Sequence, residues 1–192
     1  MKQLIHLLNT RYGYAVPEKT WLSLFSIAEE INLQKNEYLL RAGCRNSDLI
    51  MVKEGILRTV YINGARDRTV RFSFAGTLCS SRYTFLKNEP SICDIITVTP
   101  STVLKIPRDN FIDLTRKDHS FALWALNYAW TEQYLEDVRE STFLNGSVEE
   151  RYRQTMCCRP ELVRNVPSSV LASYLGCTAE HLCRVKVKLL YK

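Results

Sequence analysis

PSSVLASYLGCTAEHLCRVKVK, residues 167–188, is the stretch whose reading decides the fold. It reads as two short helices around a tight turn. Pro167 suits a helix start, where its missing N–H would have no partner anyway. Val170, Leu171, Tyr174 and Leu175 recur at helical spacing along one side of the first helix. Gly176 supplies the left-handed conformation that ends it, and Thr178 is a good N-cap for the second. Leu182, Val185 and Leu189 step by three and four and face inward. Ala172 lies four residues before Gly176, where two crossing helices leave room only for a small side chain. The outer face of the second helix keeps Ala179, Glu180, His181, Arg184, Lys186 and Lys188, polar and mostly basic, as entry into a major groove requires. This is a helix-turn-helix pattern. A plain αα-hairpin in a bundle has no need of that Ala–Gly spacing together with a basic face.

The chain has 192 residues and a formal net charge of +6, enough length for one large or two small domains. The charge is uneven. Residues 147–192 hold eight Lys and Arg against four Asp and Glu, whereas residues 113–146 hold three against six. The basic tail fits phosphate attraction. The first 112 residues are also basic, fifteen against ten, so charge alone does not place a DNA site. Seven cysteines, Cys44, Cys79, Cys93, Cys157, Cys158, Cys177 and Cys183, are scattered, with no Cys-x-x-Cys and only three histidines. That spacing calls for no zinc or iron–sulfur site, and reduced thiols are the simplest account. No segment is apolar for long enough to span a membrane, and no signal peptide is visible, so the expectation is a cytoplasmic protein with no membrane partner.

Residues 18–31 read as an amphipathic helix with Trp21, Leu22, Phe25, Ile27 and Ile31 toward the core. From about residue 37 the character changes. Leu39, Ile50, Val52, Ile56, Val60, Tyr61, Val70, Phe72, Phe74, Ile95, Ile96, Val98, Val103, Leu104 and Ile106 fall in short strand-forming runs. Gly43, Glu54-Gly55, Asn63-Gly64 and Gly76 punctuate them, and Asn-Gly between alternating residues predicts a hairpin. A β-roll or jelly roll follows. Asp109 or Asn110 is the expected cap of a short helical turn. A long helix is predicted from about Asp118 to Leu144. Along it Phe121, Trp124, Tyr128, Thr131, Leu135 and Val138 make a 3–4 seam, the expected dimer contact. Leu123, Leu126, Trp130 and Tyr134 make a second stripe, so one face can pack on the chain's own β-domain and the other on a partner. Ser147-x-x-Glu150 is a capping box for the next helix, and Cys157-Cys158 ends it before Pro160. The fold class is α+β. The expected parts are a β-roll sensing domain at 1–117, a dimerisation helix at 118–146 and a DNA-binding helix-turn-helix at 147–192.

Helix, β-roll, long helix and helix-turn-helix in that order resemble the Crp–Fnr family of transcription regulators along the whole chain. VKEGILRTVYINGARDRTVRFSFAG (52–76) resembles the family's β-roll hairpin. ASYLGCTAEHLCRVKVKL (172–189) is similar to its DNA-reading motif, whose recognition helix usually reads Glu-x-x-Ser-Arg, here Glu180, Cys183 and Arg184. The resemblance implies homodimers, effector binding inside the β-roll, double-stranded DNA as partner and, for an activator, RNA polymerase. Two departures stand out. Nucleotide-binding members carry Gly-Glu, then Arg-Ser or Arg-Thr about ten residues later. Here Gly76 is followed by Thr77, and Pro90-Ser91 stands where the Arg-Ser should fall. Loss of a bidentate cation removes most phosphate recognition, so cyclic AMP is not the expected effector. Gly76, Ser80, Ser81, Arg82 and Ser91 are the groups expected to line a pocket for some other small molecule, unless side chains fill it. No cofactor or metal is called for. The other departure is that the chain ends four residues after Lys188, which leaves a truncated wing.

At the DNA, Glu180 can accept from a cytosine amino group, and Arg184 one turn later can bond bidentately to guanine. The plainer roles are a first-turn acid for Glu180 and a phosphate contact for Arg184. His181, Lys186 and Lys188 are expected on phosphate or solvent. Ser168 and Ser169 open the first helix, whose N–H groups can also hold phosphate. Enzyme chemistry is not expected: His6, His119 and His181 lie outside the predicted strands, and no P-loop, Gly-x-Ser-x-Gly or Cys–His arrangement is present. The competing reading is a ligand-sensing or protein-interaction module that has lost specific DNA binding.

Overall fold

Short alternating runs between residues 29 and 106 pair into two antiparallel sheets. The strands are β1 (Glu29–Leu33), β2 (Tyr38–Leu40), β3 (Leu49–Glu54), β4 (Ile56–Asn63), β5 (Arg66–Phe74), β6 (Asp94–Thr97) and β7 (Ser101–Ile106). Their orders are β1-β7-β3 and β2-β6-β4-β5. The computed structural model describes residues 1–63 and 66–190, and of Ile62, Asn63 and Arg66 the backbone only. The Asn63-Gly64 turn lies outside the described residues. The inward positions, Leu33, Leu40, Ile50, Val52, Leu57, Cys79, Ile95 and Val103, meet in one buried cluster. The fold is the expected α+β type, a β-roll followed by a helical region.

The helices are α1 (Lys2–Arg11), α2 (Glu18–Ser26), α3 (Arg82–Lys87), α4 (Arg108–Lys117), α5 (His119–Asn145), α6 (Val148–Cys158), α7 (Pro160–Asn165), α8 (Ser168–Leu175) and α9 (Ala179–Leu190). Two compact units divide the chain. One holds residues 1–60 and 72–131, the other residues 61–71 and 132–192.

In the first unit, α1, α2 and the start of α5 enclose an aromatic cluster. The indole of Trp124 meets Trp21 edge-on at 4.7 Å between centroids and stacks on Phe121 at 5.6 Å. Its Nε1 donates to the Leu8 carbonyl at 2.9 Å, so the polar end of a fully buried ring has a partner. Asn9 ties the N-terminal segment together. It donates to the Val16 carbonyl and accepts from both the Val16 N–H and Trp21 Nε1. The sequence reading gave α1 no place, although Leu4, Ile5 and Leu8 bury one face of it.

Three expectations change. The helix expected over 18–31 stops at Ser26, and Ile31 belongs to β1. There β1 pairs antiparallel with β7, from Glu29 opposite Lys105 to Leu33 opposite Ser101. Leu22 and Ile27 are exposed. Partner strands, not local period, decide such a short segment. The helix expected to be capped by Asp109 or Asn110 begins earlier, after Pro107, whose φ of −55° suits a helix entry.

The third change concerns α5. The first half of the seam expected at a partner faces inward, while Thr131, Leu135 and Val138 are half-buried. Phe121 and Trp124 have no exposed surface, and Tyr128 packs against the same core, its hydroxyl accepting from the Leu78 N–H at 2.9 Å. In the second unit Leu135 and Val138 line a small cavity with Thr142, Tyr174 and Leu175. The second stripe is the one left in solvent: Leu126 is 55% exposed, Trp130 66%, Tyr134 62% and, further along, Leu144 74%. Both stripes are apolar at the same period, so periodicity alone did not rank them.

Asp118 caps α5. Its carboxylate accepts from the Phe121 N–H at 3.1 Å, from Ser120 Oγ at 2.6 Å and from Thr20 Oγ1 at 2.7 Å. The Ser120 and Thr20 hydroxyls hold its pKa down to about 2, against some opposition from burial. A carboxyl whose folded pKa is depressed stabilises the fold above its unfolded value and loses that contribution as pH falls through the folded one. Asp118→Ala should therefore cost about 1 kcal/mol at neutral pH. In urea melts the gap to wild type should close between pH 4 and pH 2. A gap that persists unchanged at pH 2 would contradict the capping role.

Candidate nucleic-acid interface

The second unit builds its helix-turn-helix from α6 upward. Ser147 and Glu150 form the expected capping box, with Ser147 Oγ accepting from the Glu150 N–H and the Glu150 carboxylate accepting from the Ser147 N–H. α6 ends at Cys158, and Arg159 follows. That guanidinium is buried and pairs with Glu132 at 3.2 Å. Arg151 on α6 donates to the Leu175 carbonyl at 2.7 Å and to the Gly146 carbonyl at 3.2 Å. It therefore satisfies a carbonyl left open at the end of α8.

The turn between α8 and α9 is the one expected. Gly176 sits at φ 69°, ψ 36°, with its N–H on the Ala172 and Ser173 carbonyls. The next N–H, of Cys177, returns to the Ala172 carbonyl at 3.0 Å, the hydrogen-bond pattern of a Schellman close. A Cβ at Gly176 would stand 2.7 Å from the Phe143 ring. Thr178 then caps α9, its hydroxyl accepting from the His181 N–H at 3.2 Å. Leu171, Ala172, Tyr174, Leu175, Leu182 and Val185 are buried between the helices.

The expected DNA-facing residues divide into two groups. Ser168, Ser169, Thr178, Glu180, His181 and Arg184 are exposed. Hydrogen bonds from its own backbone N–H and from the Thr178 hydroxyl hold the Glu180 carboxyl below the usual range, and Arg184 adds to this, so it is anionic at neutral pH. Arg184, four residues on, shares its face. The two lysines have partners within the unit. Lys186 Nζ donates to Ser168 Oγ at 2.9 Å and lies 5.9 Å from the Tyr152 ring centroid. Lys188 Nζ pairs with Glu149 at 2.7 Å. The sequence reading missed Glu149 and Arg151. Both act from α6 across a gap in the chain, and no local spacing announces either.

Two of the groups expected to line an effector pocket, Ser80 and Ser91, hydrogen-bond locally. Ser80 Oγ accepts from the Ile50 N–H and donates to the Asp48 carbonyl. Ser91 Oγ donates to the Cys93 carbonyl at 2.7 Å. Thr77, where the family's acid would stand, turns its hydroxyl to the Phe74 carbonyl. Ser80 and Ser91 thus hold backbone groups of their own loops. Gly76 (φ 81°) lies against Leu7, whose side chain a Cβ would meet at 2.9 Å. Ser81 is buried and Arg82 is exposed at the start of α3. Among the described residues no cluster of three or more His, Cys, Asp or Glu is placed to hold a metal, and no helix is long and apolar enough to cross a membrane.

Residues 30–118 match the family described as cyclic nucleotide-binding domain. A mutant CooA from Carboxydothermus hydrogenoformans superposes with a TM-score of 0.73 at 13% identity, covering 88% of this chain and 79% of that one. The c-di-GMP responsive global regulator CLP from Xanthomonas campestris gives 0.70 at 16%, with 91% and 92% covered. FixK2 from Bradyrhizobium japonicum gives 0.66 at 19%, with 86% and 85% covered. The chain shares the fold of these solved structures, a β-roll followed by a helical region. By sequence, no curated protein matches the chain.

The α8–α9 turn has no room for a side chain at Gly176. Gly176→Ala combines a left-handed φ with overlap on Phe143 and should cost about 1–3 kcal/mol. Thermal melts of the variant test this; an unchanged midpoint would show that the turn can relax.

Proposed function

We propose that the chain is a sequence-specific DNA-binding transcription regulator that works as a homodimer and does not take cyclic AMP as its effector. The observation that carries the reading is the pair Glu180 and Arg184, exposed one turn apart on a helix whose opposite face is locked into the unit by Leu182 and Val185. An acceptor and a bidentate donor at that spacing suit neighbouring bases in a major groove. Residues 1–117 are the sensing part, 118–146 the dimerisation helix and 147–192 the reading head. Such a protein acts by binding, with double-stranded DNA as its partner and, if it activates, RNA polymerase as a second. A cytoplasmic location follows from that role.

The proposed self-association uses the outer stripe of α5. Leu126, Trp130, Tyr134 and Leu144 leave more apolar surface in water than a lone helix usually tolerates, and a two-fold partner would cover it with the same stripe. The proposed independence from cyclic AMP rests on the Thr77 hydroxyl, held by Phe74, and on the serine at 91, which follows a proline rather than an arginine.

Selection from a random duplex pool tests DNA reading. Glu180→Ala and Arg184→Ala should each cost about 1–3 kcal/mol on the selected site and relax preference at one position per half-site. Equal losses on selected and random duplex would reduce Arg184 to a phosphate contact. No selected sequence at all would favour a sensing module without specific DNA binding. For assembly, Trp130→Asp with Tyr134→Asp should yield a folded monomer in sedimentation and weaken binding to a palindromic site. A wild-type protein that is monomeric at micromolar concentration would refute the dimer. Saturating cyclic AMP or cyclic GMP should leave the melting temperature of the wild type unchanged, whereas a ligand of the native state would raise it.

A further inference from the structure

The β4–β5 hairpin reaches α8 by its edge. β5 is the outer strand of its sheet, so part of its backbone has no partner strand. At Thr69 the partner is instead Ser173 of α8. The Thr69 N–H donates to Ser173 Oγ at 3.0 Å, and Ser173 Oγ donates to the Asp67 carbonyl at 3.2 Å. Thr69 is buried there, and Arg71 two residues on pairs with Glu136 at 3.1 Å. The strand is thus pinned on both sides of the residue between them and on the helix that opens the reading head.

Next to the pinned residue stands Arg68. It is exposed, and no hydrogen bond or ion pair engages its guanidinium among the described residues. It borders an open groove of about 750 Å³ that Ser169 and Thr178 also line. These two hydroxyl residues stand at the first turn of α8 and at the cap of α9, the places where a helix-turn-helix approaches the sugar–phosphate strand beside its major groove. Of the two lysines expected on phosphate, Lys186 is bound to Ser168 and Lys188 to Glu149. Asp67 lines the groove as well, but an arginine extends further from the backbone than an aspartate.

We propose that Arg68, held in place by the Thr69–Ser173–Asp67 hydrogen bonds, binds the DNA backbone: a phosphate of the strand bordering the recognition helix lies in the groove between Arg68 and the Ser169 and Thr178 hydroxyls. The contact is then supplied from a segment about a hundred residues before the helix-turn-helix. The inference rests on the DNA-binding reading above and adds a residue to it.

The test is the salt dependence of binding, measured for wild type, Arg68→Ala and Arg68→Lys on the selected duplex and on random duplex. Each phosphate that the protein no longer neutralises lowers the slope of log K against log salt by about 0.9. Arg68→Ala should lower it by about that much per protomer and weaken selected and random duplex alike, about three- to tenfold, with base preference and melting temperature unchanged. Arg68→Lys should restore most of the slope, because a lysine still places a cation there. An unchanged slope and affinity in Arg68→Ala, with Arg184→Ala losing base preference, would overturn this inference and leave the DNA reading intact. Tighter binding by Arg68→Ala would also overturn it, making the hairpin a shield. A wild type that binds no duplex would sink both readings together.

Discussion

Burial of Trp124 sets the rotation of α5, and much else follows from that rotation. A helix of 27 residues presents each side chain at an angle fixed by its neighbours, so one buried ring decides which stripe faces out. Trp124 is held by stacking on Phe121, by an edge contact with Trp21 and by a hydrogen bond to the Leu8 carbonyl. Removing so large a buried ring costs on the order of 3–5 kcal/mol, far more than any single exposed interaction on the helix. The seam of Phe121, Trp124 and Tyr128 therefore takes the interior, and the stripe through Trp130 and Tyr134 is left exposed. Further along the same helix, Phe143 lies against Gly176, and Leu135 and Val138 face Tyr174 and Leu175.

The α8–α9 pair depends on a second constraint, the absence of a side chain at Gly176. Close approach of Phe143 to the turn leaves the Arg151 guanidinium 4.4 Å from the centre of the Phe143 ring and within reach of the Leu175 carbonyl. One cation thus stacks on an aromatic face and caps a helix end. With α8 closed in this way, Thr178 can begin α9 at once, and the exposed Glu180 and Arg184 project from a helix anchored at its start. Precision in their placement comes from packing behind the helix, because both side chains reach into solvent.

Where signals were local, the sequence was legible. Gly176, Thr178, the Ser147–Glu150 box and the stop before Pro160 each act within a few residues, and each stands where the spacing put it. Signals that needed a partner were not legible. Ile31 continued a helical period but lies in β1, because β7 offers a ladder. The two apolar stripes of α5 were visible, yet only the aromatic core could say which one faces inward. Ser80 and Ser91 were expected to line a pocket, and their bonds to backbone groups of the folded loops carried no sequence signal. Lys186 and Lys188 read as free cations until α8 and α6 came within reach. Arg68 carried no signal beyond its charge, since nothing in a hairpin sequence tells which helix its edge will meet.

Within the second unit a closed set of contacts ties α8 to its neighbours. Arg71 of β5 pairs with Glu136 of α5, Arg139 of α5 donates to the Tyr174 carbonyl of α8, and Ser173 of α8 bonds back to β5 at Asp67 and Thr69. A shift of that part of β5 by a fraction of its roughly 3.4 Å repeat would break the Ser173 bonds or move α8 with them. The position of α8 is therefore coupled to the backbone of β5 at Asp67 and Thr69.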